Sequence, residues 1–255
     1  MIKSIIIFIL IILSYKSALS RNSGETEITT EDGIEVFQEE KYYLLKKNVE
    51  IVSDELKLNG QIVRIYFEND LYDIKKLVAS DDVDFLSEQY NLRGKGNNVE
   101  FNVSDQTILI YGLNSELYLE DTKMFSDGKI NVDNLKGTFF IDGPNSKLVS
   151  DDINITGSKI NGIFEIIDDK RDISNLIVED EKKLNIKTDD IIMFSKKAVY
   201  NKKKSIIELY EDVKIIRGNE IITGDYGILN TKKKSYKVSS KNSNKVKAII
   251  LGSNE

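Results

Sequence analysis

Neither histidine nor cysteine occurs among the 255 residues of this chain, so any chemistry must proceed without them. Catalytic triads, imidazole acid–base work and thiolate or histidine zinc sites are thereby excluded. Carboxylates stand in pairs at Asp81-Asp82, Asp151-Asp152, Asp168-Asp169 and Asp189-Asp190, and a glycoside hydrolase needs only two carboxyl groups. Adjacent residues of a strand point to opposite faces, however, so such neighbours do not share a site. All four pairs fall where strands are expected to end, and they read as solvated turns. Gly94-Lys95-Gly96 stands without the rest of a phosphate-binding loop or a dinucleotide fingerprint. No catalytic residue, metal site or cofactor is expected. Two lysine clusters, Asn201-Lys202-Lys203-Lys204-Ser205 and Asn230-Thr231-Lys232-Lys233-Lys234-Ser235, read either as solubilising hairpin tips or as contacts for phosphate groups.

The informative chemistry is apolar, and the elements that must position it recur. Val49 and Gly60, Val83 and Gly94, and Val213 and Gly224 are each a valine followed eleven residues later by a glycine. Around the first pair lie Ile51, Leu56, Leu58, Ile65 and Phe67; at the same offsets around the second lie Phe85, Tyr90, Leu92, Val99 and Phe101. A copy starting on Phe101 adds Val103, Ile108, Ile110, Leu117 and Leu119, and a poorer one adds Ile215 and Ile222. Between these anchors apolar and polar residues alternate, the signature of half-buried strands, and no stretch gives a convincing amphipathic helix. The chain is read as all-β, built from stacked short antiparallel strands. Units this small cannot bury an apolar face alone, so neighbours must stack. In register, Val49, Ile51, Leu56, Leu58, Ile65, Phe67, Val83, Phe85, Leu92, Val99, Phe101, Val103, Ile108, Ile110, Leu117, Leu119, Val213, Ile215 and Ile222 share one face. Two such faces either close as a dry core or stand apart as a trough for fatty chains, and periodicity is compatible with both.

The ends and the charge bound the rest. Lys3 precedes nine apolar residues, Ile5 to Leu13, too few to span a bilayer as a helix and suited to a secretory signal; Ala18-Leu19-Ser20 offers small residues for a cut before Arg21. A retained anchor is the alternative. Net charge is −6 with both signs dispersed, which argues against general nucleic-acid binding. The organisation expected is a signal over 1–20, a flexible leader over 21–34, an N-terminal β unit over 35–168 and a C-terminal β unit over 173–255. The charged run Asp168 to Asp172 marks the boundary; its alternative reading is a long turn in one continuous sheet.

The segment Ile186-Lys187-Thr188-Asp189-Asp190-Ile191 through Ala198-Val199-Tyr200-Asn201, then Ile207-Glu208-Leu209, Asp212-Val213-Lys214-Ile215 and Ile222-Thr223-Gly224-Asp225, resembles the OstA-like repeat of the LptA family of periplasmic lipopolysaccharide-transport proteins. Lys245-Val246-Lys247-Ala248-Ile249-Ile250 is similar to that family's closing strand, and Lys46 to Phe67 and Ser80 to Phe101 match more loosely. The family's G-N-V reads here Lys47-Asn48-Val49, Asp81-Asp82-Val83 and Glu211-Asp212-Val213. The resemblance implies a V-shaped open β-jelly-roll with acyl chains between two splayed sheets and a non-enzymatic carrier of lipopolysaccharide in the periplasm. It implies end-to-end self-association through edge strands, with an inner-membrane LptC-like protein and an outer-membrane LptD-like translocon as partners. The rival readings are an exported structural or glycan-binding β-solenoid and an LptC-like anchored relative.

Overall fold

The structure, a computed structural model, describes residues 23–69, 73–150, 153–167, 170–240 and 245–250. Every regular element among them is a strand, and the strands form one 20-stranded sheet whose pairings are all antiparallel. The chain runs back and forth, and each traverse is bent once along its length. The first traverse is β1 (Glu27–Thr29) and β2 (Ile34–Phe37), lying end to end against the two halves of β3 (Tyr42–Val52). Unbroken traverses follow in β4 (Lys57–Phe67), β5 (Ile74–Ser87) and β6 (Leu92–Asn102).

The next four traverses are each divided at the bend: β7 (Thr107–Tyr111) and β8 (Ser115–Leu119), β9 (Thr122–Ser126) and β10 (Lys129–Asp133), β11 (Thr138–Asp142) and β12 (Lys147–Ser150), β13 (Ile153–Thr156) and β14 (Lys159–Ile167). Long strands resume in β15 (Lys170–Lys187), β16 (Ile192–Asn201), β17 (Ile206–Arg217) and β18 (Glu220–Asn230). The last traverse, β19 (Ser235–Ser239) and β20 (Lys247–Ile250), pairs with opposite halves of β18. An antiparallel meander of this kind is not a solenoid coil.

The bends line up and divide the sheet into two walls that share a spine. In β3, β5 and β17 the bend is a bulge in which two residues face one on the next strand. Lys47 and Asn48 lie opposite Gln61, Asp81 and Asp82 opposite Asn97, and Glu211 and Asp212 opposite Asp225. All six residues on the doubled side have left-handed backbone, with φ between 49° and 67°. Such bulges kink a strand and raise its twist, and Asn and Asp tolerate that region better than other non-glycine residues. Asp81-Asp82 is therefore a corner in the middle of β5 rather than the end of a strand.

The same geometry accounts for the valine–glycine spacing. Val49 faces Gly60 and Val213 faces Gly224 as cross-strand pairs beside the bulge. In the middle copy the half-strands between bulge and loop are each one residue longer than in the first copy, so Gly94 faces Phe85 and Val83 faces Gly96. A Cβ on Gly94 would come 2.5 Å from the buried Phe85 ring, so no larger residue fits there.

In the divided traverses the spine is made of loops. Gly128 and Gly143 meet back to back: a Cβ on Gly128 would lie 2.2 Å from the Asp142 carbonyl oxygen, and Gly143 has φ +123°. The Asp127 carboxylate accepts bonds from Asn145 Nδ2 at 2.5 Å and the Asn114 backbone N–H at 2.9 Å, which hold its pKa below the usual carboxylate range. These bonds tie three successive corners together.

One organisational expectation differs from what is seen. Residues 27–29 and part of 34–37, read as flexible leader or as its end, are strands paired with β3, since their short apolar positions extend the stack by one traverse. The charged run near 170, read as a boundary or as a long turn in one sheet, agrees with the second reading: Lys170 to Ile173 pair with Phe164 to Ile167, and beyond a bulge at Ser174 the pairing of β14 with β15 continues. The expected signal over 1–20 lies outside the described residues.

Candidate functional site

The inward side chains of both walls meet in one apolar cluster that runs the length of the sheet. On one wall are the half-strands leading to the loops 38–41, 103–106, 134–137, 202–205 and 231–234; on the other are those leading to 53–56, 88–91, 120–121, 188–191 and 218–219. The spine closes one long side, and these two rows of loops form the lips of the other. Burial grades from spine to lips: Leu45, Val63, Val99, Ile110, Ile130 and Ile141, near the spine, are fully buried, whereas Phe101 and Ile108, nearer the lips, are only partly so. Phe85 on one wall meets Phe101 on the other edge to face, with ring centroids 4.9 Å apart.

Of the nineteen residues expected to share one face, Ile65, Phe67, Val99, Phe101, Ile108 and Ile110 lie on the inner side of the first wall. Val49, Ile51, Leu58, Val83, Phe85, Leu92, Leu117, Leu119, Val213 and Ile215 lie on that of the second. Leu56 packs against the cluster from the second lip, and Ile222 is half-buried opposite Ile215. Val103 departs: it is 55% exposed, because the chain has already turned at the lip after β6. The cluster also contains residues not foreseen, among them Met124, Ile130, Ile141, Leu148, Ile160 and Leu184. Their alternation is visible in the sequence, but the varying lengths of the spine loops between 112 and 158 move them off any fixed offset.

The lips differ in charge. Asp54, Glu55, Glu88, Glu120, Asp121, Asp189 and Asp190 stand on the second lip. The first lip changes along its length, from a mixed stretch with Glu39, Glu40, Lys41, Asp105 and Lys136 to a basic one with Lys202, Lys203, Lys204, Lys232, Lys233 and Lys234. Near the middle the lips are tied. The Arg171 backbone N–H donates to Glu120 Oε2 at 2.8 Å and its Nη1 to Oε1 at 3.0 Å, while Nη2 donates to Asn134 Oδ1 at 2.5 Å. Beyond this tie the mouth widens into a cavity of about 240 Å³ with Ile153, Ile191, Tyr200 and Leu229 in its lining and Asp189, Asp190, Thr231, Lys232 and Lys234 at its rim.

Two phenols on the C-terminal traverses are displaced from their ordinary range. Burial, reinforced by a hydrogen bond to Glu208, pushes the Tyr226 phenol up to about 12, and burial with a bond to Glu220 does the same for Tyr236. Both are thus locked in the neutral form through the physiological range. Among the described residues no cluster of acids could hold a metal ion, and no helix is long and apolar enough to cross a membrane.

Among the described residues the molecule is all strand, with a continuous apolar seam between two walls, a build suited to holding an apolar ligand. Residues 30–138 match the family model described as LptA/(LptD N-terminal domain) LPS transport protein. The match falls on the N-terminal traverses, not on Ile186 to Asp225, where the repeat reads most plainly. No curated protein matches the sequence. Among solved structures, the chain is similar to LptH, the LptA-homologous periplasmic component of the lipopolysaccharide transport device of Pseudomonas aeruginosa. The identity is 7%, the alignment covers 89% of this chain and 96% of that one, and the TM-score is 0.24, a loose superposition that bears no weight.

Proposed function

We propose that the protein is a non-enzymatic periplasmic carrier of lipopolysaccharide, holding the acyl chains between its two walls as part of the bridge from inner to outer membrane. The observation that carries this reading is the apolar seam, which runs unbroken past many traverses and is bounded on one long side only by hairpin lips. The family match over 30–138 supports it. Energetics suit a conduit. Transfer of acyl chains from water into a preformed open trough would gain ~0.8 kcal/mol per methylene, enough over several chains to make release very slow. Here the walls already bury each other, so a chain entering the seam replaces wall–wall contact with wall–chain contact. The net gain per methylene is smaller, and onward transfer stays reversible.

The reading is tested by photocrosslinking, with a photoreactive residue at Phe101 or Ile108, which the lips leave partly accessible, and at Arg64 as an outward control. Lipopolysaccharide adducts are expected at the two inward positions and not at Arg64. Adducts at Arg64 alone, or nowhere in a folded protein, would discard it.

In this reading residues 1–20 direct export, and the partners are an LptC-like protein, an LptD-like translocon and further copies of the same chain. Support comes from the sheet's two ends: among the described residues β1 and β2 pair only with β3, and β19 and β20 only with β18. An unpaired edge is a template for another strand. Ile34, Val36, Ile249 and Ile250 are exposed on those edges. Head-to-tail pairing of unlike edges builds an open chain rather than a closed dimer. Deleting Lys245 to Glu255 is expected to abolish concentration-dependent oligomers seen by analytical ultracentrifugation while preserving the melting transition; an unchanged oligomer distribution would refute this joint.

A further inference from the structure

The first lip concentrates its positive charge in one place, apart from Lys41 and Lys136 elsewhere along it, and that place adjoins the cavity. The hairpins β16–β17 and β18–β19 end in tips of the same build. Asn201 Oδ1 accepts the Lys204 backbone N–H at 2.9 Å, and Asn230 Oδ1 accepts that of Lys233 at 2.7 Å. The tips are neighbours, joined by the Thr231 N–H to the Ser205 carbonyl at 2.9 Å. Lys202 is committed to Asp172, with Nζ 2.6 Å from Oδ1. Lys203, Lys204, Lys232, Lys233 and Lys234 are exposed and form no ion pair among the described residues. Across the mouth stand Asp189 and Asp190, the latter held by Arg217 Nη2 at 3.2 Å. Between the lips the cavity descends to Tyr200 and Leu229 on one wall and Ile153 and Ile191 on the other.

We infer that this lysine lip and the cavity beside it form a headgroup site for a phosphorylated, acylated sugar. The phosphate rests on the ammonium groups of the two tips, sugar hydroxyls donate to Asp189, and an acyl chain enters between Tyr200 and Ile191. The inference rests on the carrier reading and adds a polarity to it. At the opposite end of the same lip Glu39, Glu40 and Asp105 outnumber Lys41, whose Nζ donates to the Glu68 carbonyl, and disfavour a phosphate, so an anionic head is held at the C-terminal end of the groove, beyond the Glu120–Arg171 tie. Lysine suits such a site because it binds phosphate as a mobile point charge and lets it go, without the fixed two-point geometry of arginine.

The experiment measures binding of two probes to the full mature chain: a bisphosphorylated hexaacyl glucosamine disaccharide in detergent, and the same lipid after enzymatic dephosphorylation. Each is tested on the wild type, on a variant with Lys203, Lys204, Lys232, Lys233 and Lys234 all changed to Gln, and on one with all five changed to Arg. The wild type is expected to prefer the phosphorylated probe by about tenfold or more. The Gln variant should lose that preference with its affinity for the dephosphorylated probe unchanged, and the Arg variant should keep it. Inorganic phosphate at equal concentration should displace neither probe.

Equal binding of both probes by the wild type, or an undiminished preference in the Gln variant, overturns the site and leaves the carrier reading standing. Displacement by inorganic phosphate alone would make this a free-anion site, and overturns the headgroup assignment. Failure of both probes to bind the wild type removes the carrier reading and this inference with it.

Discussion

Ile110→Asp is expected to abolish the cooperative unfolding transition at 25 °C, whereas Phe101→Asp is expected to fold and to lose its acyl-chain adducts. The two residues lie on the same inner face, yet their depths separate the outcomes. Ile110 is fully buried beside the spine, between Val99 and Ile130, which are buried as completely. An aspartate there forfeits about 1.5–3 kcal/mol of aliphatic burial and sets a carboxyl among neighbours that offer it no partner, which costs several kcal/mol more. Together these losses approach the 5–15 kcal/mol that typically holds a whole domain together.

Phe101 stands nearer the lip, where an introduced carboxylate can reach water, and the contact it loses is chiefly the edge-to-face pair with Phe85. Such a pair is worth about 0.5–1.5 kcal/mol beyond its area, a loss the fold survives. Denaturant titration followed by circular dichroism checks both variants. A wild-type-like transition for Ile110→Asp would mean that the groove is wet down to its spine, and the closed seam described above would be wrong.

Much of this architecture was legible because a bent strand leaves a mark in the sequence. Along β4 the inward positions are Leu58 and Gly60 before the bulge and Val63, Ile65 and Phe67 after it, so the alternation changes parity at the bend. That change is the step between the eleventh and sixteenth offsets of the repeat. On the facing strand the doubled residues preserve parity, and Val49-x-Ile51 continues the face set by Leu45. The repeat is thus the imprint of the spine on the sequence.

Where the spine is made of loops, as at 112–114, 127–128 and 143–146, each bend consumes a different number of residues and the offsets lose their meaning. Met124, Ile141 and Leu148 fall outside the repeat for that reason, and the charged run near 170 could be read as a boundary or as a turn with equal ease. The lips were illegible on other grounds. Which hairpins stand opposite one another depends on two walls folding over a common spine, and the partners Glu120 and Arg171 are 51 residues apart. Val103 alternates correctly yet points outward, since alternation does not say where a strand stops.

The tie between the lips should therefore be worth far more than its chemistry on an ordinary surface would suggest. Of the ion pairs on this molecule, Lys57–Glu50 leaves its side chains 52% and 42% exposed, and such pairs typically contribute about 0–1 kcal/mol. Arg171 and Glu120 are 24% and 14% exposed, and the carboxylate accepts both a backbone N–H and a guanidinium N–H from the same residue. The guanidinium is also oriented by Asn134, which in turn donates to Gln106 Oε1 at 2.8 Å, so the first lip holds Arg171 in place before Glu120 meets it.

Glu120→Ala leaves that partly buried cation with half its acceptors, and is expected to cost about 1–3 kcal/mol; Glu50→Ala should cost less than about 1 kcal/mol. A double-mutant cycle between Glu120→Ala and Arg171→Ala should return a coupling of about 1 kcal/mol or more, the mark of residues that act as a unit. Amides of β8, β9 and the start of β15 should exchange faster in Glu120→Ala, while those beside the spine should keep their protection, because only the lips are released. A coupling within about 0.3 kcal/mol of zero, the limit of additivity for independent sites, would mean that the two lips stand without each other and that the mouth of the groove is held by its walls alone.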